Sequence, residues 1–162
     1  MDFSISAFLI TMGCCLTSLI IAGKSGSNED KKWFANLNHP DNSFLLKIMN
    51  ILGVIVYLFF GFVLYFILVG NYIVPIVLMI IIIQFNGLSP YLKYKTKNLK
   101  VFFFAMLIFF ILVSALTLFL IQVASILVYP VIIFLLWVVY DVSYYYRLMK
   151  LNKQGIGRRH EY

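Results

Sequence analysis

The stretch IIIIQFNGLSPYLKYKTKNLK, residues 80–100, decides how this chain is read. Four isoleucines, Ile80–Ile83, run straight into Gln84, Asn86, Gly87 and Pro90. Four lysines then fall within eight residues, Lys93–Lys100. Isoleucine at this density belongs in hydrocarbon. What the two amides do so near its end depends on where a membrane lies and which way the chain crosses it.

Outward from that stretch, the whole chain is apolar. Hydrophobic residues make up 63% of the 162, and 12% are charged, more apolar side chain than a soluble domain of this size can bury. A bilayer core of about 30 Å needs about 20 apolar residues per crossing. Five such spans are expected, over about 3–23, 44–69, 72–92, 101–121 and 126–146. Lipid offers no hydrogen bonds, so each span should be helical. The expected fold is an all-α integral membrane protein, a five-transmembrane-helix bundle forming a single domain over 1–162. The first span is read as a retained helix, because Asp2 stands where a secretion signal carries basic residues and no small-residue cleavage site follows. Cys14 and Cys15 are adjacent and have no other cysteine to pair with, so they are read as small apolar residues facing lipid or a neighbouring helix.

Five crossings sort the charge. The N-terminus, the turn at Gly70–Asn71 and the turn at Gln122–Ser125 fall on one side and hold no Lys or Arg. The loop 24–43, the Lys93–Lys100 connection and the basic tail 147–162 fall on the other, and all 13 basic residues lie there or at its border. The positive-inside rule makes that side cytoplasmic and puts the N-terminus outside. The net charge of +7 is then topology plus attraction to anionic lipid, and no nucleic-acid partner is expected.

The loop 24–43 is the longest connection. Ser27 or Asn28 is a candidate N-cap, with Glu29 and Asp30 in a first turn. Trp33 and Leu37 sit four apart on a short helix ending near Pro40, with Phe34 adjoining. This element is either an interfacial anchor or a lid over the cytoplasmic mouth. In the second span Gly53, Tyr57, Gly61 and Tyr65 recur every four residues, a stripe for helix or dimer packing at Gly53 and Gly61 or else a pocket wall with tyrosine hydroxyls.

At about 100° per residue Gln84 and Asn86 point to nearly opposite sides, so they cannot share one site. Asn86, Ser89 and Pro90 do share a face, and Pro90 frees the carbonyl of Asn86. Intramembrane amides either join helices or line a cavity. Asp141 is the one acid within a span, near its cytoplasmic end; Tyr144 and Tyr145 are in reach as donors, and the carboxylate has a structural reading beside a ligand or proton role. The pattern through Val142, Tyr144 and Arg147 fits a loose cholesterol motif that eleven tyrosines produce by chance. His39 and His160 have no second ligand at metal spacing, and no phosphate loop or catalytic triad is present, so neither a metal nor a catalytic residue is assigned.

In order and spacing these residues resemble the translocator protein/tryptophan-rich sensory protein (TspO/MBR) family, as a divergent bacterial-type member. The family's first loop reads W-Y-x-x-L-x-x-P-x-W-x-P-P, matched by Trp33, Phe34, Leu37 and Pro40 but not by the second Trp or the paired prolines. Tyr57 and Gly61 answer L-Y-x-x-M-G, Asn86 falls on the family Asn, and Pro130 on the proline opening the last span, where Val131 and Phe134 replace Tyr and Trp. The resemblance implies a five-helix bundle, often a homodimer, with a pocket for porphyrins, sterols or aromatic compounds. It places Trp33 in the lid, Tyr57 and Asn86 in the pocket, and Val138 in the last-span wall, beside Trp137, Tyr140 and Asp141. No cofactor is required, though a bound porphyrin or heme-like tetrapyrrole fits. Gly53 and Phe134 stand where relatives carry the tryptophans linked to porphyrin photodegradation, so an enzymatic role is not expected.

The expected function is a receptor-like binding protein for a flat apolar ligand, in a bacterial plasma membrane rather than an organelle membrane. A small transporter or lipid-handling protein, and a structural partner of another membrane protein, are the alternatives.

Overall fold

Helix boundaries fall where short polar side chains or left-handed residues can absorb the free ends of the ladder. The structure, a computed structural model, describes the backbone of residues 4–40, 43–123 and 125–157 and the side chains of 4–40, 55–123 and 126–152. Six helices follow one another: α1 (Ile5–Gly23), α2 (Asn28–Ala35), α3 (Ser43–Val69), α4 (Ile73–Thr96), α5 (Leu99–Val123) and α6 (Ser125–Gly157). Ser4 caps α1 by accepting from the Ala7 amide. Ser27 caps α2 in a full capping box with Asp30. Asn71 at φ 56° and Lys97 at φ 47° take the left-handed conformation that ends α3 and α4.

Among the described residues there is no strand, and α1, α4, α5 and the Ile126–Asn152 part of α6 are long and apolar enough to cross a membrane. The described apolar part of α3 is Ile55–Val69. The largest extensions beyond the expected spans are at the ends of α4, which continues past residue 92 to Thr96, and α6, which continues past 146 to Gly157. Lys93 is therefore in the last turn of a spanning helix rather than in a loop. That matters for the site.

The five long helices close a ring. α1 packs on α3 and α4, α4 on α5, α5 on α6, and α6 returns to α3. Phe60, Leu64 and Ile67 of α3, Met79, Ile82 and Ile83 of α4, Phe109 and Val113 of α5, and Val138 of α6 are buried inside it. The outside is equally apolar: Leu58, Phe62, Ile111, Leu118 and Ile133 all face outward. Apolar residues on both faces of long helices fit a hydrocarbon solvent and no other. The protein is an integral membrane protein in contact with the bilayer.

The tightest seam joins α1 to α4. A Cβ added at Gly87 would lie 2.5 Å from the Ser18 carbonyl oxygen and 2.9 Å from its Cα. Ser18 Oγ donates to the Ile83 carbonyl at 2.5 Å and lies 3.0 Å from the Tyr57 hydroxyl. Gln84 Nε2 donates to the Cys14 carbonyl at 3.1 Å and to Thr17 Oγ1 at 3.2 Å, the interhelical role open to it. Close approach was expected at Gly53 and Gly61. Gly61 does face α1, but at ordinary contact distance, its Cβ position 3.6 Å from Thr11 Cγ2. The side-chain surroundings at Gly53 lie outside the described residues.

The basic segments meet at one end of the bundle. There Lys97 pairs with Asp30 at 3.1 Å, and Asn38 exchanges hydrogen bonds with Asn152, its amide donating at 3.0 Å and its carbonyl accepting at 3.1 Å. At the opposite end the Ser4 amide donates to the Tyr65 hydroxyl at 3.2 Å.

Candidate binding site under the first loop

The loop carrying α2 is clamped from two sides. On the α4 side, Asp30 holds Lys97, and the Lys93 ammonium sits 4.2 Å above the Phe34 ring and 4.6 Å above Tyr94. Cation–π contacts of this kind are worth about 0.5–2 kcal/mol according to desolvation. On the α6 side, His39 Nδ1 lies 2.7 Å from the Tyr144 hydroxyl and Nε2 2.9 Å from the Phe34 carbonyl. A carbonyl can only accept, so Nε2 carries a proton, and in the neutral ring Tyr144 donates to Nδ1. The loop is thus packed across the end of the bundle, against both α4 and α6. Its anchor is Phe34, in edge contact with His39 and Tyr94, rather than Trp33, which is half-buried 6.3 Å from Phe34. The helix stops at Ala35, so Leu37 does not share a helical face with Trp33.

Asp30 also explains why α2 stays wound. Hydrogen bonds from the Ser27 amide and hydroxyl, then the Lys97 ammonium, hold its carboxyl below the usual carboxylate range.

Beneath the lid, α6 carries an aromatic ladder. Trp137 and Tyr140 lie 5.6 Å apart, Tyr140 and Tyr144 6.5 Å, and Tyr144 and His39 6.4 Å, the last two pairs close to parallel. Trp137 and Tyr140 also wall a groove of about 440 Å³ between α3 and α6, with Ile55, Val56, Phe59, Ile133, Phe134 and Leu136. A second groove, about 390 Å³, runs between α1 and α3 past Thr11, Cys15, Tyr57, Gly61 and Tyr65. Both are almost wholly apolar and have the size of small-molecule sites, about 300–1,000 Å³. In the second, Thr11 Oγ1 is buried without a hydrogen-bond partner among the described residues.

The expected site residues divide between two seams. Tyr57 and Asn86 are neighbours, with Tyr57 also bound to Ser18. The carbonyl freed by Pro90 is satisfied: Ser89 Oγ donates to Asn86 O at 3.0 Å. Trp137, Tyr140 and Asp141 form the other group, on α6. Val138 is buried in the core and lines neither groove. Tyr144 was expected to donate to Asp141, but it serves His39 instead, and Tyr145 is buried edge-on to Phe102. Asp141 Oδ1 is left buried without a partner among the described residues.

Two residues have roles that the sequence alone does not announce. His39 lacks a metal partner yet joins the loop to α6, and Lys93 adjoins the loop lysines yet belongs to α4. The one available signal for Lys93 was its place one residue beyond the last apolar position. Helices of this length commonly run on for a turn.

A bundle of long apolar helices with ligand-sized apolar grooves and a loop clamped across one end defines a helical-bundle integral membrane protein. The chain belongs to the TspO/MBR family, whose family model matches residues 8–150. No curated protein sequence matches it.

Proposed function

We propose that the protein is a receptor-like membrane binding protein for a flat, largely apolar ligand of the tetrapyrrole type. The observation that carries this reading is the α3–α6 groove, where Phe59, Phe134, Trp137 and Tyr140 give ring faces along one wall-to-wall apolar slot. Aromatic faces bind planar π-systems through dispersion and stacking, worth about 0.5–1.5 kcal/mol per ring pair beyond area burial. Phe134 occupies the family's tryptophan position and packs 4.7 Å from Phe60 and 5.9 Å from Phe109, keeping an aromatic ring in the groove wall without the indole. Membership of the TspO/MBR family supports binding or sensing in the membrane.

In this reading α3 is the fifth crossing. Five crossings leave the N-terminus outside and the lid end cytoplasmic, because the basic segments gather there. The test is titration of the purified protein with protoporphyrin. A saturable shift of the porphyrin absorption band at micromolar ligand supports binding, and an unshifted band through that range refutes it.

A lipid-handling or transport role is the second reading. Both grooves are walled by residues such as Ile133 and Leu58 that face outward toward lipid. Ligand flux in proteoliposomes that disappears in Asp141→Asn would favour it over simple binding.

A further inference from the structure

Lys93 and Asp141 are an unusual pair for a spanning helix bundle. Each is the charged group that acts on the other, one from α4 and one from α6. They do not touch: among the described residues the one ion pair within 4.0 Å is Asp30 with Lys97. Asp141 has the Trp137 indole against it, yet its Oδ1 is buried with no hydrogen bond among the described residues. Lys93 makes cation–π contacts to Phe34, Tyr94 and Phe102, and no hydrogen bond or ion pair is found for it among the described residues. A buried unpaired acceptor costs about 1–3 kcal/mol, and more when charged. Such an arrangement persists in a folded protein when something else completes it.

We propose that Lys93 and Asp141 together form the recognition site for one carboxyl group of the bound ligand. This rests on the binding reading above and adds the polar end that the groove lacks. A carboxyl group is both acceptor and, when it holds a proton, donor. One of its oxygens takes a hydrogen bond from the Lys93 ammonium, and the other shares a proton with Asp141 Oδ1. Lysine, aspartate and a carboxyl carrying one shared proton sum to zero net charge, the state least penalised in a low-dielectric interior. A ligand amine would instead leave an extra positive charge, and an ester can accept from Lys93 but has no proton for Asp141. Trp137 links the two parts, since its ring walls the groove while its indole meets the carboxylate. The Phe34 ring closes the Lys93 side, which places the carboxyl directly beneath the lid.

The discriminating experiment compares protoporphyrin with its dimethyl ester on the wild type, Lys93→Met, Asp141→Asn and Lys95→Met, the last an exposed lysine half a turn away. The wild type should prefer the free acid by roughly tenfold or more, the worth of one charge-assisted hydrogen bond. Lys93→Met should abolish that preference, and Lys95→Met should keep it. Asp141→Asn should raise it, because an ionised ligand carboxylate then neutralises Lys93 without taking up a proton. The ester serves as the folding control throughout. Equal binding of acid and ester to the wild type overturns the carboxyl site while leaving groove binding intact. A parallel loss of preference in both Lys93→Met and Asp141→Asn also overturns it, since that is the behaviour of a structural pair. Binding of neither compound defeats the underlying function as well.

Discussion

Gly87 of α4 and Ser18 of α1 share a crossing so close that the space for a single Cβ is taken by backbone, the Ser18 carbonyl oxygen standing 2.5 Å from where that atom would be. Backbone cannot step aside as a flexible side chain can. Gly87→Ala should therefore cost about 1–3 kcal/mol as an overpacked seam, lowering the thermal midpoint in detergent. Gly61→Ala, whose new methyl would meet Thr11 Cγ2 at 3.6 Å and Cys15 Sγ at 3.7 Å, should leave the midpoint nearly unchanged. Equal sensitivity at the two positions would contradict the assignment of the tight seam.

The Gln84 amide joins the same two helices through Cys14 and Thr17. Interhelical hydrogen bonds in membranes are worth about 0.6–2 kcal/mol, so Gln84→Leu should lose stability within that range without affecting ligand affinity. Steric-trap unfolding in bicelles reads the first quantity, and porphyrin titration the second. A loss of affinity with stability unchanged would move Gln84 from the scaffold to the site.

His39 and Tyr144 hold the lid to α6 through one hydrogen bond of 2.7 Å. Tyr144→Phe removes the donor and keeps the ring. At a net worth of about 0.5–1.5 kcal/mol, its loss should raise hydrogen exchange of the amides over 36–39 by about 2- to 10-fold. Amides in α5 should not change. Unaltered exchange in the loop would show that Asp30–Lys97 and Asn38–Asn152 suffice as clamps.

Asp30 gives the lid its pH dependence. Its carboxyl is held below its ordinary value, first by the Ser27 amide and hydroxyl and then by Lys97. A depressed carboxyl contributes stability above its unfolded value, about 3.9, and loses it as pH falls through the folded value. Trp33 emission in a Trp137→Phe protein should change as pH falls below about 4, the ordinary carboxylate range, and that change should be absent in Asp30→Asn. Asp30→Asn should show the altered emission at neutral pH. An acid change that persists in Asp30→Asn would assign the switch to another group.

Much of this was legible in the chain because composition and periodicity report solvent and face. The apolar runs announced helices in lipid, Ser27 was one of two candidate caps and is the one used, and the opposed directions of Gln84 and Asn86 followed from helical geometry alone. The family resemblance drawn from Trp33, Tyr57, Asn86 and Pro130 agrees with the match over residues 8–150. Partners across helices were another matter. Periodicity says that Gly87 and Ser18 each lie on some face, but not that the faces meet. Tyr144 had a nearer candidate partner in Asp141, three residues back, and chose His39, 105 residues away, because the loop folds over the bundle end. Lys93 read as a loop cation until α4 proved to be a turn longer than its apolar run. Tertiary pairing decided each of these, and a local pattern does not encode it.

In the proposed mode of binding, a flat ligand lies against Trp137 in the α3–α6 groove. Trp33→Phe leaves Trp137 as the single indole reporter. Titrating that protein with protoporphyrin should quench the remaining emission almost completely and saturably at micromolar ligand, with the same midpoint as the porphyrin absorption change. Porphyrin that binds by absorption while the Trp137 emission stays bright would place the ligand elsewhere and contradict the account.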